Sequence, residues 1–320
     1  MSHLAMYVMG LPAGLTVTEL TDEHVPDITA LVRAKELAYF ERSETNEPEI
    51  LGTLKAPDLD GSRGTTGVWE DGELVAAMFA FNGLEHERGL FLDTFIAPYA
   101  RNRQQLAQCL LRAGERYGET LSAPAGSFVK AESFAGDTEV ETSLSDRGYE
   151  RHRVYLRMRL DFEEPVGQPD PPAGLQVRGM TEQDWDQVHH VITEAFKDHY
   201  DSHPLPLDLF QQDMANETSD RNRWRLVFDG SQCVAVCIAS HRFAPGGLGY
   251  VENLAVLREY RGRGIARFLL QDAFARDSSD GFTGTSLHCD ATNPTGATAL
   301  YRSVGMTEDH NYVAWRTPLG

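Results

Sequence analysis

A single stretch, Tyr250 to Ala273, leaves this chain few folds to choose from: it reads YVENLAVLREYRGRGIARFLLQDA. The apolar-rich run Val251–Val256 has the length of a strand, and a polar turn, Leu257–Tyr260, follows it. A compact loop comes next, Arg261-Gly262-Arg263-Gly264-Ile265-Ala266. Behind it Ile265, Phe268, Leu269, Leu270 and Ala273 recur at helical spacing. The unit is therefore strand, glycine loop, helix. Such a loop offers successive backbone N–H groups at a helix N-terminus, where the helix dipole also favours an anion. Gly262 and Gly264 carry no Cβ, so a phosphate can come close to the main chain. The physical reading is a cradle for a pyrophosphate.

Two common phosphate loops are excluded. The stretch lacks the Gly-Lys-Ser/Thr ending of a Walker loop. It is also not the G-x-G-x-x-G turn of dinucleotide folds. Read as Arg/Gln-x-x-Gly-x-Gly/Ala, with Arg261, Gly264 and Ala266 in the fixed positions, it resembles the acyl-CoA pyrophosphate loop of the GNAT acyltransferase superfamily. A second stretch, NPTGATALYRSVGM from Asn293, places Ala297, Leu300 and Tyr301 at helix spacing, with Gly305 as the C-cap. The pattern Asn…Ala-x-x-Leu-Tyr-x-x-x-Gly-Phe/Met resembles the superfamily's second CoA-contacting motif. The resemblance implies that Asn293 sits beside the pantetheine arm. It also implies that the Tyr301 hydroxyl lies near the sulfur and can protonate the departing thiolate.

Length and composition bound the rest. The chain of 320 residues is a prior for two domains. Acidic residues outnumber basic ones by 48 to 29, which disfavours nonspecific nucleic-acid binding. Most of that excess lies in residues 1–173, with 29 acidic against 16 basic side chains. No apolar run approaches a membrane span, and the first residues lack the charged start and apolar core of a signal peptide. Cys109, Cys233, Cys237 and Cys289 fit no zinc pattern and read as reduced core residues of a cytoplasmic protein. His189-His190 has no carboxylate or thiol at ligand spacing, and no metal is expected.

The two halves repeat one order of elements. In the first, the strand LTVTELT leads to a helix holding Val25, Ile28, Leu31 and Val32, with Thr21 as its N-cap. Residues 41–64 are rich in breakers and read as a long loop. A hairpin about Glu70-Asp71-Gly72, the strand GLFLDTFIAP, a helix, the strand SFVKAESFA, a short helix over Asp137–Asp146 and the strand RHRVYLRMRLDF complete it. A linker, EEPVGQPDPPA, carries four prolines. The second half runs LQVRGMT, a helix with Trp185, Val188, Val191, Ile192 and Phe196, a hairpin about Asp229-Gly230, the glycine-loop unit, SLHCDA, the second motif and NYVAWRTPL. Matched order over about 150 residues is internal duplication. The expectation is an α/β chain of two tandem GNAT domains, residues 1–162 and 174–320 joined by 163–173, each a mixed twisted sheet with flanking helices. The chain resembles the mycothiol synthase family of tandem GNAT proteins, most clearly from Leu175 to Pro318. There Glu194-Ala195-Phe196-Lys197-Asp198-His199-Tyr200 is similar to that family's Glu-Ala-Phe-x-Asp-His-Trp.

The halves differ where chemistry would sit. The first-half counterpart of the glycine loop is Arg101-Asn102-Arg103-Gln104-Gln105-Leu106, with Gln104 in the place of Gly264. The counterpart of Tyr301 falls near Ser143–Leu144. The first half is thus expected to be degenerate and without a CoA site. In the second, the resemblance implies that the strand before the loop splays from its neighbour. The N–H groups of Leu254, Ala255 and Val256 would then face the thioester and pantetheine, Val256 above all, and stabilise the oxyanion. Arg261, Gly262, Arg263, Gly264, Ile265, Ala266, Asn293 and Ala297 complete the expected CoA-binding set. Val-Glu-Asn-Leu-Ala-Val is similar to a strand of polyamine acetyltransferases that carries a catalytic Glu at the position of Glu252. Glu252 would take the amine proton through a water, against a merely binding role. Asp198, His199, Tyr200 and Asn253 are the candidates for substrate contact, and His288 or Asp290 for a place in the site. The function implied is an acyl-CoA-dependent N-acyltransferase that uses acetyl-CoA and a small primary amine. It would act as a monomer or homodimer, without nucleic acid or membrane. A peptide or protein N-terminus is the alternative acceptor, and a non-catalytic CoA-binding or scaffold protein the alternative class.

Overall fold

Two copies of one capping device start the two halves. The Thr21 N–H donates to Nδ1 of His24 at 3.1 Å, and the Thr181 N–H donates to Oδ2 of Asp184 at 2.7 Å. Each closes a three-residue 3-10 turn, Asp22–His24 or Glu182–Asp184, that leads directly into an α-helix. A side chain three residues on thus satisfies the backbone donor at the cap. The cap predicted at Thr21 is present, one short turn ahead of the helix proper.

The computed structural model describes residues 7–84, 89–197, 204–215, 219–292 and 296–319. The first pass of elements is β1 (Leu15–Thr18), α1 (Val25–Phe40), α2 (Glu47–Leu54), β2 (Thr65–Glu70), β3 (Glu73–Gly83), β4 (Gly89–Ile96), α3 (Arg103–Glu119), β5 (Phe128–Phe134), α4 (Thr138–Asp146) and β6 (Glu150–Asp161). The second is β7 (Gln176–Arg178), α5 (Trp185–Phe196), α6 (Leu207–Asp213), β8 (Arg225–Asp229), β9 (Gln232–Ser240), β10 (Leu248–Val256), α7 (Ile265–Ser279), β11 (Gly284–Asp290), α8 (Ala297–Ser303) and β12 (Thr307–Pro318). The fold is the mixed α/β arrangement expected, with β4 parallel to β5 and β10 parallel to β11 beside antiparallel pairs in each half.

The chain divides into two compact units, Met1–Tyr155 with His310–Gly320, and Leu156–Asp309. The first orders its strands β1-β2-β3-β4-β5-β12, the second β7-β8-β9-β10-β11-β6. The unit limits differ from residues 1–162 and 174–320. Most of β12 closes the first sheet, pairing antiparallel with β5 from Tyr312 opposite Phe134 to Pro318 opposite Phe128. The later half of β6 belongs with the second. Both strands alternate polar and apolar residues, so either pattern suits either sheet.

Two helices escape the sequence reading. Residues 41–64 hold α2, which Asn46 caps by accepting from the Glu49 N–H at 3.1 Å, with Pro48 in the first turn and Ile50 buried. Asn and Pro read as breakers there, yet at a helix start they are initiators. The other is α6, which buries Phe210 beside Trp185 and Trp224. The first unit packs α1 and α3 on a core that includes Ile28, Leu31, Phe79, Leu92 and Leu110. In the second, α5 packs Val188 and Val191 against Trp224, Val236, Ile238 and Ala255.

Candidate active site

The site begins with a parting of strands. β10 pairs in parallel with β11 from Leu248 opposite Gly284 to Val251 opposite Leu287. On its other edge β10 continues along β9 as far as Val256 opposite Ala235. The register slips between Val251 and Asn253, so Glu252 is the extra residue of a β-bulge. A bulge bends its strand and re-aims the side chain it carries. Beyond it β10 leaves β11, and a cleft of about 490 Å³ lies between Val251, Glu252, Leu254 and Val256 on one side and Leu287, His288, Cys289 and Asp290 on the other. The parting predicted ahead of the glycine loop is present.

The glycine loop closes one end of this cleft. Gly262 and Gly264 hold φ of 76° and 80°, in the left-handed region, and Gly264 is the N-cap of α7. A Cβ built at either meets no atom within 4 Å, so the faces of the loop are open. Ile265, Phe268 and Leu269 are buried and anchor α7 behind it, each contributing about 1.5–3 kcal/mol. A rigid helix N-terminus therefore points its N–H groups at empty space lined by Gly262, Gly264, Ile265, Ala266 and Arg267. Arg261 also holds the loop in place. Its Nε donates to the Val256 carbonyl at 3.1 Å and a terminal nitrogen donates to the Ala195 carbonyl at 3.0 Å, which ties the loop to β10 and to the end of α5. Arg263 lies over the Tyr260 ring at 4.7 Å and donates to the Glu259 carbonyl at 3.2 Å.

Two proton-bearing groups face the cleft. Tyr301, on α8, is buried, and burial raises its hydroxyl pKa, with Cys289 and Cys237 adding to the shift. The hydroxyl therefore keeps its proton until a stronger base arrives. Glu252 also has a raised pKa, chiefly from burial. A hydrogen bond from Ser240 and the charge of Arg242 offset part of that shift, and Asp213 adds to it. Burial also pushes the Cys289 and Cys237 thiols up to about 11 and about 12.

Of the residues singled out from the sequence, one cleft gathers Glu252, Leu254, Val256, Arg261, Gly262, Gly264, Ile265, Ala266, Ala297 and Tyr301. Both His288 and Asp290 join them. The Ala255 side chain is in the apolar core under α5 instead, so only its backbone can serve. Asn253 pairs with Ile238, and neither it nor Arg263 lines the cleft. Asp198, His199, Tyr200 and Asn293 lie outside the described residues. The walls also include Phe196, Tyr260, Arg267, Leu287, Cys289 and Leu300, to which the sequence reading gave no site role. Alternation in SLHCDA flags Leu287 and Cys289 as one face of a strand next to the cleft, a signal that was there to be used.

The first unit repeats the frame with other contents. β4 and β5 pair in parallel only from Leu90 opposite Val129 to Leu92 opposite Ala131. Lys35, on α1, is as far from the start of its helix as Ala195 is on α5. It is buried and donates to the Thr94 carbonyl at 3.2 Å, 3.5 Å from Asp137. Burial lowers its pKa, and Asp137 and Asp93 oppose that shift. Six residues separate β4 from α3, against eight between β10 and α7. The N-cap of α3 is Asn102 at φ 56°, so Asn102 and not Gln104 is the counterpart of Gly264. Arg103 follows it, buried and 2.7 Å from Asp137. The Tyr149 N–H bonds the Leu144 carbonyl as the Met306 N–H bonds that of Tyr301, which identifies buried Leu144 as the counterpart of Tyr301.

Residues 185–306 match the acetyltransferase (GNAT) family. That stretch holds the glycine loop, the parted strand and Tyr301, all within the second unit. Mycothiol acetyltransferase of Thermobispora bispora is 28% identical to it over 168 residues, 50% of this chain and 56% of that protein. The match to the other curated relative spans 20% of that protein's length, so neither is covered over two thirds. A GCN5-related N-acetyltransferase from Sphaerobacter thermophilus superimposes over 97% of both chains, with a TM-score of 0.84 and 25% identity. A tandem GNAT protein from the clavulanic acid biosynthesis pathway shares the fold over 96% of this chain and 99% of its own, with a TM-score of 0.71 and 16% identity. The chain thus shares the fold of a tandem GNAT protein along most of its length. Among the described residues no group of three or more His, Cys, Asp or Glu could hold a metal ion, and no helix is long and apolar enough to cross a membrane.

Proposed function

We propose that this GNAT protein transfers an acyl group, from acetyl-CoA, directly to the primary amine of a small molecule, and that the second unit alone does so. The observation that carries the reading is convergence. An open helix N-terminus, a parted strand edge, a buried tyrosine hydroxyl and a carboxyl of raised pKa wall one cleft.

The donor's pyrophosphate fits the N–H groups of Gly262–Ala266, and its pantetheine arm fits the gap between β10 and β11, beside Ala297; Asn293 remains a candidate contact from its motif. The N–H of Val256, with those of Leu254 and Ala255, is the donor set for the thioester oxygen. Glu252 takes a proton from the acceptor ammonium, directly or through a water. The neutral amine then adds to the thioester carbon, the carbon–sulfur bond breaks, the Tyr301 hydroxyl proton passes to the sulfur, and the proton the nitrogen sheds on becoming an amide restores that hydroxyl. The products are an amide and free CoA. Thiols held protonated at Cys289 and Cys237 favour direct transfer over an acyl-cysteine route. On the acceptor side, Asp198, His199 and Tyr200 remain candidates for substrate contact.

The filled gap behind Lys35, the shorter loop at Asn102 and Leu144 in the place of Tyr301 support a first unit without a CoA site. Buried, free cysteines fit a cytoplasmic protein. Thiol release from acetyl-CoA with a panel of small amines and short peptides tests the reading. Amine-dependent release with small amines is expected. Release with peptides alone would move the acceptor to a protein N-terminus, and CoA binding without release would make the chain a binding protein.

A further inference from the structure

Where the β10–β11 ladder ends, two rings bridge the strands. The Tyr250 hydroxyl on β10 lies 2.9 Å from Nδ1 of His288 on β11. The two rings meet edge to face at 5.7 Å. Phe243 packs perpendicular to Tyr250 at 5.0 Å and tilted against His288 at 6.3 Å. The imidazole is thus fixed by a hydrogen bond and two ring contacts. It walls the same cleft as Glu252 and Tyr301, and no step of the transfer above uses it.

The bond to Tyr250 sets what the ring can offer. Burial raises the Tyr250 pKa, so the hydroxyl keeps its proton. A neutral phenol donates more readily than it accepts, and its natural partner is a bare imidazole nitrogen. When Oη–H donates to Nδ1, a neutral His288 carries its hydrogen on Nε2. The ring then presents a donor. A donor cannot satisfy the N–H groups of an amine; Glu252 does that, from the other side of the cleft. A donor needs an oxygen.

The geometry points to His288 as an acceptor-recognition residue whose Nε2–H donates to an oxygen carried beside the primary amine of the substrate, with Tyr250 as the positioning residue that fixes the tautomer. The substrate class is an amine with a neighbouring hydroxyl, carbonyl or carboxylate, in preference to a plain alkylamine. A plain alkyl group in place of that oxygen makes no hydrogen bond to Nε2–H, so the oxygen-bearing amine gains one that the alkylamine lacks. This inference rests on the acyl-transfer reading.

Two measurements test it. In protein labelled with nitrogen-15 histidine, long-range proton–nitrogen NMR spectra identify the tautomer, and loss of one signal set in His288→Gln assigns the ring. Nε2–H with bare Nδ1 is expected at neutral pH, with a mixture of tautomers in Tyr250→Phe. An Nδ1–H or doubly protonated ring in the wild type overturns the inference. The second measurement is acetyl-CoA-dependent turnover of isosteric pairs, ethanolamine against propylamine and β-hydroxyphenethylamine against phenethylamine. The oxygen-bearing member should have a kcat/KM about tenfold higher or more, the size of one net hydrogen bond, and the ratio should fall toward one in His288→Phe. Equal turnover in the wild type, or a ratio that survives His288→Phe, overturns it. Were no amine to release thiol, the acyl-transfer reading would fail on its own terms, and the tautomer would still decide the role of Tyr250 and His288.

Discussion

Two parallel strand pairs come apart in this molecule, β4 from β5 after Leu92 and β10 from β11 after Val251. The backbones are built to one plan, and the contents of the gaps are opposite. In the first unit Lys35 reaches the carbonyl of Thr94, the residue that stands two before the end of β4 as Leu254 stands two before the end of β10. Ala195, in the place of Lys35, stops short, and its carbonyl anchors Arg261 of the glycine loop. Arg103 brings a second charge to Asp137 where α7 begins with Ile265. The lesson is that the fold supplies a gap and the side chains decide whether a ligand can use it. A buried cation in that gap must be matched, which Asp137 and Asp93 do in the first unit.

The largest way to break this contrast is Gly264→Gln. Left-handed strain of ~1–2 kcal/mol and lost amide–phosphate bonds of ~1.5–3 kcal/mol each should weaken CoA binding by about 100-fold or more. Calorimetric titration should give one CoA per wild-type chain and none for the variant. A second site, or one that survives the change, would mean that the first unit binds CoA too. Next is Tyr301→Phe, which removes only the hydroxyl. Turnover should fall by about 100-fold with CoA affinity nearly unchanged, read from steady-state rates and titration; wild-type rates would return Tyr301 to the role Leu144 has, packing. Glu252→Gln should cost about 10–100-fold, most at pH values below the pKa of the acceptor amine. Because burial raises the Glu252 pKa, the acid limb of the wild-type rate profile should lie above the usual carboxylate range and vanish in the variant; an unchanged profile would count against the base.

Ala195→Lys imports the plug of the first unit. The added cation enters the cleft that Ala195 lines and competes with the pantetheine arm, so CoA should bind about tenfold more weakly, a loss of about 1.4 kcal/mol. Unchanged affinity would separate the Lys35 plug from the absence of a site. The smallest effect concerns stability. In the first unit burial raises Asp93 to about 6 and Glu132 to about 7, both above the usual carboxylate range. A carboxyl whose folded pKa is raised contributes its stability in full below the ordinary value and loses it as pH rises through the folded one. Melting of the first unit should therefore drop by a few degrees, roughly, between about pH 4 and about pH 7. Asp93→Asn with Glu132→Gln should flatten that trend in scanning calorimetry.

Much of this contrast is legible in the sequence, because its active side is written in local patterns. Gly262, Gly264, Ala266 and the Ala297–Tyr301 spacing are short-range features, and they end up around one cleft. The bulge at Glu252 is not visible, since one extra residue in an apolar strand changes neither composition nor length in a telling way. The counterpart of Gly264 slipped to Gln104 because the first loop is two residues shorter and an alignment by motif assumes equal loops. The domain bounds were read from order along the chain, and order is a poor guide when two strands of like pattern trade sheets.

That trade bears on how the protein is made. The indole N–H of Trp315 donates to Ser133 across 182 residues of chain, and β12 is the strand that covers the outer edge of β5. A ribosome at about 5–20 residues per second finishes β1 to β5 many seconds before β12 emerges. Through that interval β5 has an open edge, and the first sheet must wait. The N-terminal half is therefore not an independent folding unit in time, even where it is one in space. Until translation passes Pro318, that edge lacks the partner it has in the finished sheet.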